Sequence, residues 1–429
     1  MTQKTKKDTI CVHGGYDIEN GEPRNIPIIQ STTFYYKSSE QMARLFDLSE
    51  SGYFYTRLQN PTNDMTAAKI CELEGGAAAM LTSSGQAASF FSLFNICSAG
   101  EHIVCSSEIY GGTMNLLSVT MKRMGITCTF VRPDCSEEEL DNAFKKETRA
   151  IFAESVSNPS MAVLNFENFS RASQKYGVPF IVDNTFPTPI NCRPFEFGAH
   201  IVIHSTTKYM DGHGTCVGGA IVDSGNFDWD KYADKYPGLT QPDDSYHGLI
   251  YTKNFGKQAY IVKAVAQLMR DFGATPAPQN SFLLNTHLET LALRMEKHCT
   301  NALAVAQFLK TREEVSWVRH PSLKGDKYYD LAQKYMPNGT CGVVSFGIKG
   351  NRETATKFME SLQLCSIATH VADTKTCLLY PAGTTHRQLS DKQLLEAGVG
   401  ADLIRLSVGI ENTDDIINDL KQAFDKINI

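Results

Sequence analysis

The sequence lacks the features that mark several large classes of protein. No apolar run approaches the roughly eighteen residues of a membrane span, and the first residues are polar, unlike the core of a signal peptide. The twelve cysteines are scattered from Cys11 to Cys377 without a C-x-x-C spacing, which argues against a zinc site and a disulfide framework. We therefore expect a cytoplasmic protein without a metal site, in which the cysteines act as small buried hydrophobic residues.

Charge and glycine patterns argue against two further classes. The net charge is −6 and the basic residues do not cluster beyond Lys4, Lys6 and Lys7, so we do not expect nucleic-acid binding. The sequence has neither a Walker loop nor a G-x-G-x-x-G fingerprint, since the stretch from Gly212 to Gly218 is one residue too long. A dinucleotide-dependent oxidoreductase is therefore a remote alternative.

The chain has 429 residues, of which 42% are hydrophobic and 21% charged, enough for two or three domains. Short apolar stretches alternate with helical patterns of about a dozen residues, which predicts an α/β fold with a mostly parallel sheet. The predicted strands are residues 77–81, 102–106, 126–131, 150–153, 179–182 and 199–204, and the main predicted helices are 62–73, 87–96, 166–176 and 255–272.

The sequence predicts three parts. Residues 1–60 show no sustained helical or strand period and should form an N-terminal arm that contacts a neighbouring subunit. Residues 61–273 form the predicted large domain, within which the Asp-, Tyr-, Pro- and Gly-rich stretch 224–250 reads as a surface excursion. Residues 274–429 form the predicted C-terminal domain. Its predicted elements are a helix over 286–309, strands near 342–348, 364–371 and 403–408, and a last helix from about 412.

A lysine and an aspartate follow two of the predicted strands. Lys208 lies just after the strand 199–204, and a buried amine costs free energy unless it is paired, deprotonated or covalently used. Asp183 ends the preceding strand, and Ser205 and Thr207 can donate to a phosphate. This combination indicates a pyridoxal phosphate site, in which the lysine forms a Schiff base and the carboxylate keeps the pyridine nitrogen protonated. For each residue alone, an exposed lysine or a turn-capping aspartate is the alternative.

Further polar turns follow other predicted strands. Gly85 and Gln86 lie in a small-residue turn before a helix, where free N–H groups and the positive helix end can bind an anion. Tyr110 can stack on a flat ring and take part in proton transfer. The alternative is a tyrosine that only packs against its neighbours. Asn158 also lies at a strand end. Because ligands of parallel sheets bind at the carboxyl ends of the strands, we expect these residues at one site with the lysine and the aspartate.

Two arginines are candidates for binding anions. Tyr55 and Arg57 share one side of an extended stretch, which suits a phosphate, although surface exposure is the alternative. Arg405 and Ser407 share one face of a predicted strand whose other face is apolar. An amino-acid carboxylate is a natural partner for this arginine, and a structural salt bridge is the alternative.

Together these motifs resemble the pyridoxal phosphate enzymes of cysteine and methionine metabolism over nearly the whole chain. The motifs are Val182-Asp183-Asn184-Thr185, Ser205-Thr206-Thr207-Lys208-Tyr209, Tyr55-Thr56-Arg57, Ser84-Gly85-Gln86 and Arg405-Leu406-Ser407-Val408-Gly409. Within the family, three stretches resemble the O-acetylhomoserine sulfhydrylases more than the shorter γ-synthases and lyases. These are Val12-His13-Gly14-Gly15-Tyr16, the insertion with Tyr236-Pro237-Gly238 and Ser245-Tyr246-His247-Gly248, and Val371-Ala372-Asp373.

The resemblance implies a fold of the aspartate aminotransferase type (fold type I), usually a homotetramer built from two tight dimers. It implies that Lys208 binds pyridoxal phosphate covalently and moves protons, that Asp183 pairs with the pyridinium, that Tyr110 stacks on the ring and that Asn158 touches the 3-hydroxyl oxygen. The phosphate would be held by Gly85, Gln86, Ser205 and Thr207, and by Tyr55 and Arg57 of a neighbouring subunit. Arg405 would bind the substrate carboxylate.

The implied reaction is γ-replacement, in which O-acetylhomoserine and sulfide give homocysteine and acetate in methionine biosynthesis. γ-Elimination, as in cystathionine or methionine γ-lyases, is the main alternative, although Gly112 stands where methionine γ-lyases carry a cysteine. A non-catalytic binding protein with the same fold is a further alternative. His370, Tyr380 and Gly383 depart from the usual pattern, so their effect on substrate selection stays open. The sequence also leaves the acyl group of the substrate and the sulfur donor open.

Overall fold

The chain forms two β-sheets flanked by helices in the computed structural model, which describes residues 5–384, 387 and 400–427. The first sheet contains β1 (Ala78–Thr82), β2 (His102–Ser106), β3 (Thr127–Val131), β4 (Thr148–Glu154), β5 (Phe180–Asp183), β6 (Ile201–His204) and β7 (Gly219–Asp223). The second contains β8 (Val315–Arg319), β9 (Val343–Ile348), β10 (Ser366–Ile367), β11 (Cys377–Leu379) and β12 (Leu403–Ser407).

The helices lie between and after the strands. Up to β6 the α-helices are Lys7–His13, Ser39–Phe46, Pro61–Glu74, Gly85–Phe94, Gly111–Asn115, Met121–Arg123, Glu137–Asn142, Phe166–Tyr176 and Thr188–Asn191. After β7 they are Pro237–Thr240, Tyr251–Phe255, Ala259–Lys263, Arg270–Phe272, Pro278–Leu288, Leu291–Lys310, Tyr329–Tyr335, Arg352–Glu360 and Thr413–Phe424. Two segments, Leu116–Thr120 and Ala264–Met269, are π-helical. None of the helices in the described ranges has the length and apolar character needed to cross a membrane.

The first sheet confirms the predicted α/β fold with mostly parallel strands. Its order is β1-β7-β6-β5-β4-β2-β3, and β2 to β6 are parallel to their neighbours within that group. β7 is antiparallel to both β1 and β6, so β1 runs in the same direction as β6. Ile201, Val202 and Ile203 are all buried, as expected for a strand covered on both faces. The carboxyl ends of β1, β4, β5 and β6 therefore meet at one edge of the sheet.

The second sheet has the order β10-β11-β12-β9-β8, with β10 and β11 parallel and the other pairs antiparallel. On β8, Trp317 donates from its indole nitrogen to the Asp402 carboxylate at 2.8 Å. The prediction of a single helix over 286–309 was wrong. Two helices, Pro278–Leu288 and Leu291–Lys310, occupy this part of the chain and are separated by a break. The strand predicted near 364–371 is limited to Ser366–Ile367.

The segment 224–250 is not a surface excursion throughout. Phe227, Trp229, Tyr236 and Leu239 are buried in the core beside the first sheet, and the Trp229 ring stacks on Tyr260 with ring centroids 5.7 Å apart. Aromatic side chains bury large apolar areas, and here they outweigh the polar residues between them. The prediction of a surface excursion was therefore wrong for these four side chains.

The N-terminal region is more ordered than its sequence predicts. The helix Lys7–His13 packs on the helices Pro61–Glu74 and Leu291–Lys310 and buries Ile10 and Cys11. Most side chains from residue 16 to residue 59 are exposed or half-buried. The two sheets lie within the ranges 61–273 and 274–429, whose boundaries as domains stay predictions.

Candidate active site

A cavity of about 250 Å³ lies at the edge of the first sheet where the carboxyl ends of β1, β4, β5 and β6 meet. Nine of the eleven predicted site residues line it. They are Gly85, Gln86, Tyr110, Asn158, Asp183, Ser205, Thr207, Lys208 and Arg405. The structure thus brings together residues as distant in sequence as Gly85 and Arg405. Those that follow strands meet as the strand-end argument predicts.

One end of the cavity offers donors for an anion. Gly85 begins the helix Gly85–Phe94, and the Ser84 hydroxyl caps it by accepting from the N–H of Ala87 at 3.1 Å. A Cβ atom on Gly85 would lie 2.6 Å from the Cβ of Ser205, so the close approach of these two turns requires glycine. The N–H groups of the first helical turn have no partner within the helix. With the Ser205 hydroxyl nearby, this end of the cavity suits a phosphate group. The Thr207 hydroxyl also lines the cavity, where it donates to the Gly218 carbonyl oxygen at 3.2 Å and accepts from the Gly218 N–H at 3.0 Å.

Lys208 is half-buried in the turn after β6. Burial lowers the pKa of its amino group, the positive charge of Arg405 lowers it further, and Cys377 opposes this effect. A lowered pKa increases the neutral fraction of the amine, which is the nucleophilic and basic form.

Asp183 ends β5 beside another carboxyl group. Its Oδ1 accepts hydrogen bonds from the N–H of Thr185 at 3.0 Å and from the Thr185 hydroxyl at 2.5 Å. Burial raises the pKa of Asp183 overall, and the Thr185 bonds and the neighbouring His204 oppose this rise. His204 in turn contacts Glu74 at 2.7 Å, and both side chains are fully buried. Glu154, at the end of β4, also lines the cavity.

Arg405 projects from β12 into the cavity. Its Nη2 donates to the carbonyl oxygens of Thr369 and His370, both at 3.1 Å, and its Nη1 donates to Asn158 Oδ1 at 3.4 Å. The Nε atom is buried, and among the described residues it has no hydrogen-bond partner. Within the described ranges no carboxylate forms an ion pair with Arg405, which favours an external anion over the structural salt bridge.

Tyr55 and Arg57 do not join the other nine residues within one chain. They line a separate cavity of about 530 Å³ together with residues of the 224–250 segment and Arg270. The Arg57 guanidinium lies 5.3 Å from the centre of the Tyr55 ring and donates to the carbonyl oxygen of Arg270. Their predicted contact with a phosphate therefore needs a second copy of the chain and stays a prediction.

Several cavity residues were missed by the sequence analysis. They include Glu154, Phe186 and Thr369, while Thr185 and Val371 were part of quoted motifs but were given no role. Glu154 carried a usable signal, since it is a charged residue ending a buried strand, like Asp183. Val371 belongs to the stretch Val371-Ala372-Asp373, whose resemblance to the family was its signal. Thr369 carried none, because it lies in an irregular segment. His370, between them, is absent from the cavity lining, and its Nε2 lies 3.6 Å from Asp373 Oδ2.

Comparison with known proteins identifies the family. A family model described as Cys/Met metabolism PLP-dependent enzyme matches residues 8–425. The chain belongs to this family. Its pyridoxal phosphate dependence, first indicated by the lysine and aspartate motifs, is thereby confirmed.

Relatives of the chain align with it over nearly its full length. The O-acetyl-L-homoserine sulfhydrylase of Leptospira meyeri is 42% identical, and the alignment covers 100% of this chain and 98% of the relative. The homocysteine synthase of Schizosaccharomyces pombe is 43% identical, with 97% and 98% covered. A crystal structure from Campylobacter jejuni that contains N′-pyridoxyl-lysine-5′-monophosphate is 38% identical, with a TM-score of 0.94 and 98% and 100% covered.

The residues of the cavity fit the cofactor of the Cys/Met family. The N–H groups and hydroxyls beside Gly85 suit its phosphate, and the same cavity holds an amine for its aldehyde and a carboxylate for its ring nitrogen. The buried Nε of Arg405, without a partner among the described residues, is available to a substrate carboxylate.

Proposed function

We propose that the protein catalyses the reaction of O-acetylhomoserine with sulfide to give homocysteine and acetate, a step of methionine biosynthesis. The observation that carries the proposal is the cavity that Lys208, Asp183 and Arg405 line together. The full-length likeness to an O-acetyl-L-homoserine sulfhydrylase and to a homocysteine synthase supports it.

Arg405 binds the α-carboxylate of the substrate in this proposal. Two backbone carbonyls and the Asn158 side chain hold its guanidinium in place before substrate arrives. A guanidinium fork matches a carboxylate in plane and spacing, so binding also fixes the orientation of the amino acid. The α-carbon and the acetylated side chain of the substrate are thereby held in one orientation relative to Lys208.

Lys208 moves the protons. Bound pyridoxal phosphate supplies a ring that withdraws electrons from the substrate α-carbon. Lys208 Nζ removes the proton from this carbon, because burial favours its neutral, basic form. A second proton leaves the β-carbon, acetate departs from the γ-carbon, and sulfide adds there. Two protons then return, one to the β-carbon and one to the α-carbon, as Lys208 alternates between base and acid.

A second copy of the chain completes the site in this proposal. Tyr55 and Arg57 reach the cofactor phosphate of a neighbouring subunit, in a cytoplasmic homotetramer of two dimers. Their position outside their own chain's cavity, on a largely exposed arm, supports this arrangement.

The proposal divides the chain into an arm of residues 1–60, a large domain of residues 61–273 and a C-terminal domain of residues 274–429.

The test is to supply purified protein with O-acetylhomoserine and sulfide and to measure homocysteine and acetate. Equal amounts of the two products are expected. In parallel, cystathionine and methionine are supplied alone and 2-oxobutyrate is measured, since γ-elimination would release it. Turnover of the thioethers without homocysteine formation would contradict the proposal and favour a lyase.

A further inference from the structure

Glu154 is a buried carboxyl group in the cavity that the proposed mechanism does not use. It is the last residue of β4 and is 7% exposed. In the parallel pair of β4 and β5 its Cα is the register partner of Asp183. Register partners on neighbouring parallel strands point to the same face of the sheet, so the two carboxyl groups share one environment.

The hydrogen bonds around the two carboxyl groups differ. Asp183 receives two hydrogen bonds from Thr185 on one oxygen, and His204 stands nearby. Glu154 Oε1 accepts from the N–H of Tyr110 at 2.6 Å, and the backbone of Asn158 also faces the carboxyl group. In the part of the chain that the structure describes, Glu154 forms no ion pair.

The surroundings of the two carboxyl groups favour the proton on Glu154 and the charge on Asp183. Burial and the neighbouring Asp183 carboxylate raise the pKa of Glu154 well above its usual range, while the Tyr110 and Asn158 backbone bonds oppose the rise. Two buried like charges side by side are unfavourable, so one carboxyl group keeps its proton. The Thr185 bonds and His204 favour the charge on Asp183, and a protonated ring nitrogen would favour it further.

We propose that Glu154 is a positioning residue, whose uncharged carboxyl group holds the Tyr110 turn against the end of β4 and leaves the negative charge on Asp183. The inference rests on the proposed cofactor contacts of Tyr110 and Asp183. Tyr110 precedes the short helix Gly111–Asn115, and its ring is half exposed. The bond to Glu154 therefore ties this turn directly to the sheet.

The same chemical change at the two carboxyl groups separates their roles. Glu154→Gln and Asp183→Asn each replace a carboxyl group by an amide, and the dissociation constant for pyridoxal phosphate is measured by absorbance titration of cofactor-free protein. Glu154→Gln should bind nearly as tightly as wild type, because the amide oxygen still accepts from the Tyr110 N–H. Asp183→Asn should bind about tenfold more weakly or worse, because a charge-assisted hydrogen bond is lost. Glu154→Leu, which removes the acceptor, should also weaken binding by about tenfold.

Two outcomes of the titrations overturn the inference. Binding by Glu154→Gln as weak as that of Asp183→Asn would show that the charge of Glu154 is needed. Binding by Glu154→Leu as tight as that of wild type would show that Glu154 does not position the turn. Circular dichroism of each variant reports whether it folds.

An infrared difference spectrum between wild type and Glu154→Gln tests the protonation state even if Glu154→Leu does not fold. The expected result is loss of a protonated-carboxyl band, and loss of a carboxylate band instead overturns the inference. Homocysteine formation is assayed separately. If it is absent while cofactor binding follows the expected pattern, the proposed function fails and the role of Glu154 stands.

Discussion

The phenolic oxygen of Tyr209 accepts a hydrogen bond from the backbone N–H of Gly342 at 2.8 Å. Tyr209 directly follows Lys208 and is fully buried, while Gly342 immediately precedes β9 of the second sheet. The turn that carries the lysine is therefore tied to the sheet that carries Arg405. This bond joins the two regions whose side chains, Lys208 and Arg405, line one cavity.

Tyr209→Phe should lower the free energy of unfolding by about 1–3 kcal/mol, because the Gly342 N–H loses its acceptor in a buried place. Urea unfolding measures the difference. Tyr35→Phe is the matched control, since Tyr35 is 92% exposed and its hydroxyl can remain hydrated. Equal stability of Tyr209→Phe and wild type would contradict the prediction.

Lys208→Ala should abolish the visible absorbance that the bound cofactor acquires from its bond with the lysine, and homocysteine formation with it. Lys263→Met is the control for loss of a buried amine. Lys263 donates a hydrogen bond to the Asn95 carbonyl oxygen and does not line the cavity. The Lys263 variant should lose stability but keep the spectrum. Retention of both absorbance and turnover by Lys208→Ala would remove the lysine from the mechanism.

Arg405→Leu should lower kcat/KM for O-acetylhomoserine by about tenfold to a hundredfold, since a charged hydrogen-bond partner of the carboxylate is lost. The loss should lie mainly in KM, and the cofactor spectrum should remain. Arg312→Leu is the control, because Arg312 pairs with Glu314 and Asp425 outside the cavity. Unchanged kcat/KM in Arg405→Leu would contradict substrate binding by this arginine.

Mixing two inactive variants should restore activity if the arm completes a neighbour's site. Arg57→Ala supplies an intact Lys208, and Lys208→Ala supplies an intact Arg57. After unfolding and refolding together, about a quarter of the sites in randomly assorted dimers should be complete. Activity that never exceeds the sum of the separate variants would mean that Arg57 does not act across subunits.

Asp419→Asn should destabilise the protein in a pH-dependent way. Burial alone would raise the pKa of Asp419, but the N–H groups of Cys365, Gln363 and Leu364 lower it overall. A lowered folded-state pKa stabilises the fold above the unfolded value of about 3.9 and ceases to do so as the pH falls through the folded-state value. The variant should therefore unfold about 2 kcal/mol more easily near neutral pH, with a smaller difference in acid. A pH-independent difference would contradict this origin.

The first sheet and most of its site could be predicted because strong local signals coincide there. β2, β5 and β6 are short apolar runs, and each polar residue that follows such a run is brought to the same edge by parallel topology. The helix Phe166–Tyr176 has the predicted bounds because Gly177 takes up a left-handed conformation that ends it.

Other features depend on contacts that the local sequence does not show. β11 has three residues, Cys377–Leu379, and owes its structure to pairing with β10 and β12. The role of Glu154 depends on Tyr110 and Asp183, which are distant in sequence. The aromatic residues around Trp229 are buried among residues from distant parts of the sequence, including Tyr260.

The chain has two tryptophans, and they divide between the two sheets. Trp229 stacks on Tyr260 in the core beside the first sheet, and Trp317 lies on β8 of the second. Each region thus contains a natural fluorescent reporter. In single-tryptophan proteins, the emission of each would reveal whether the two sheets lose their structure in one cooperative step or in succession.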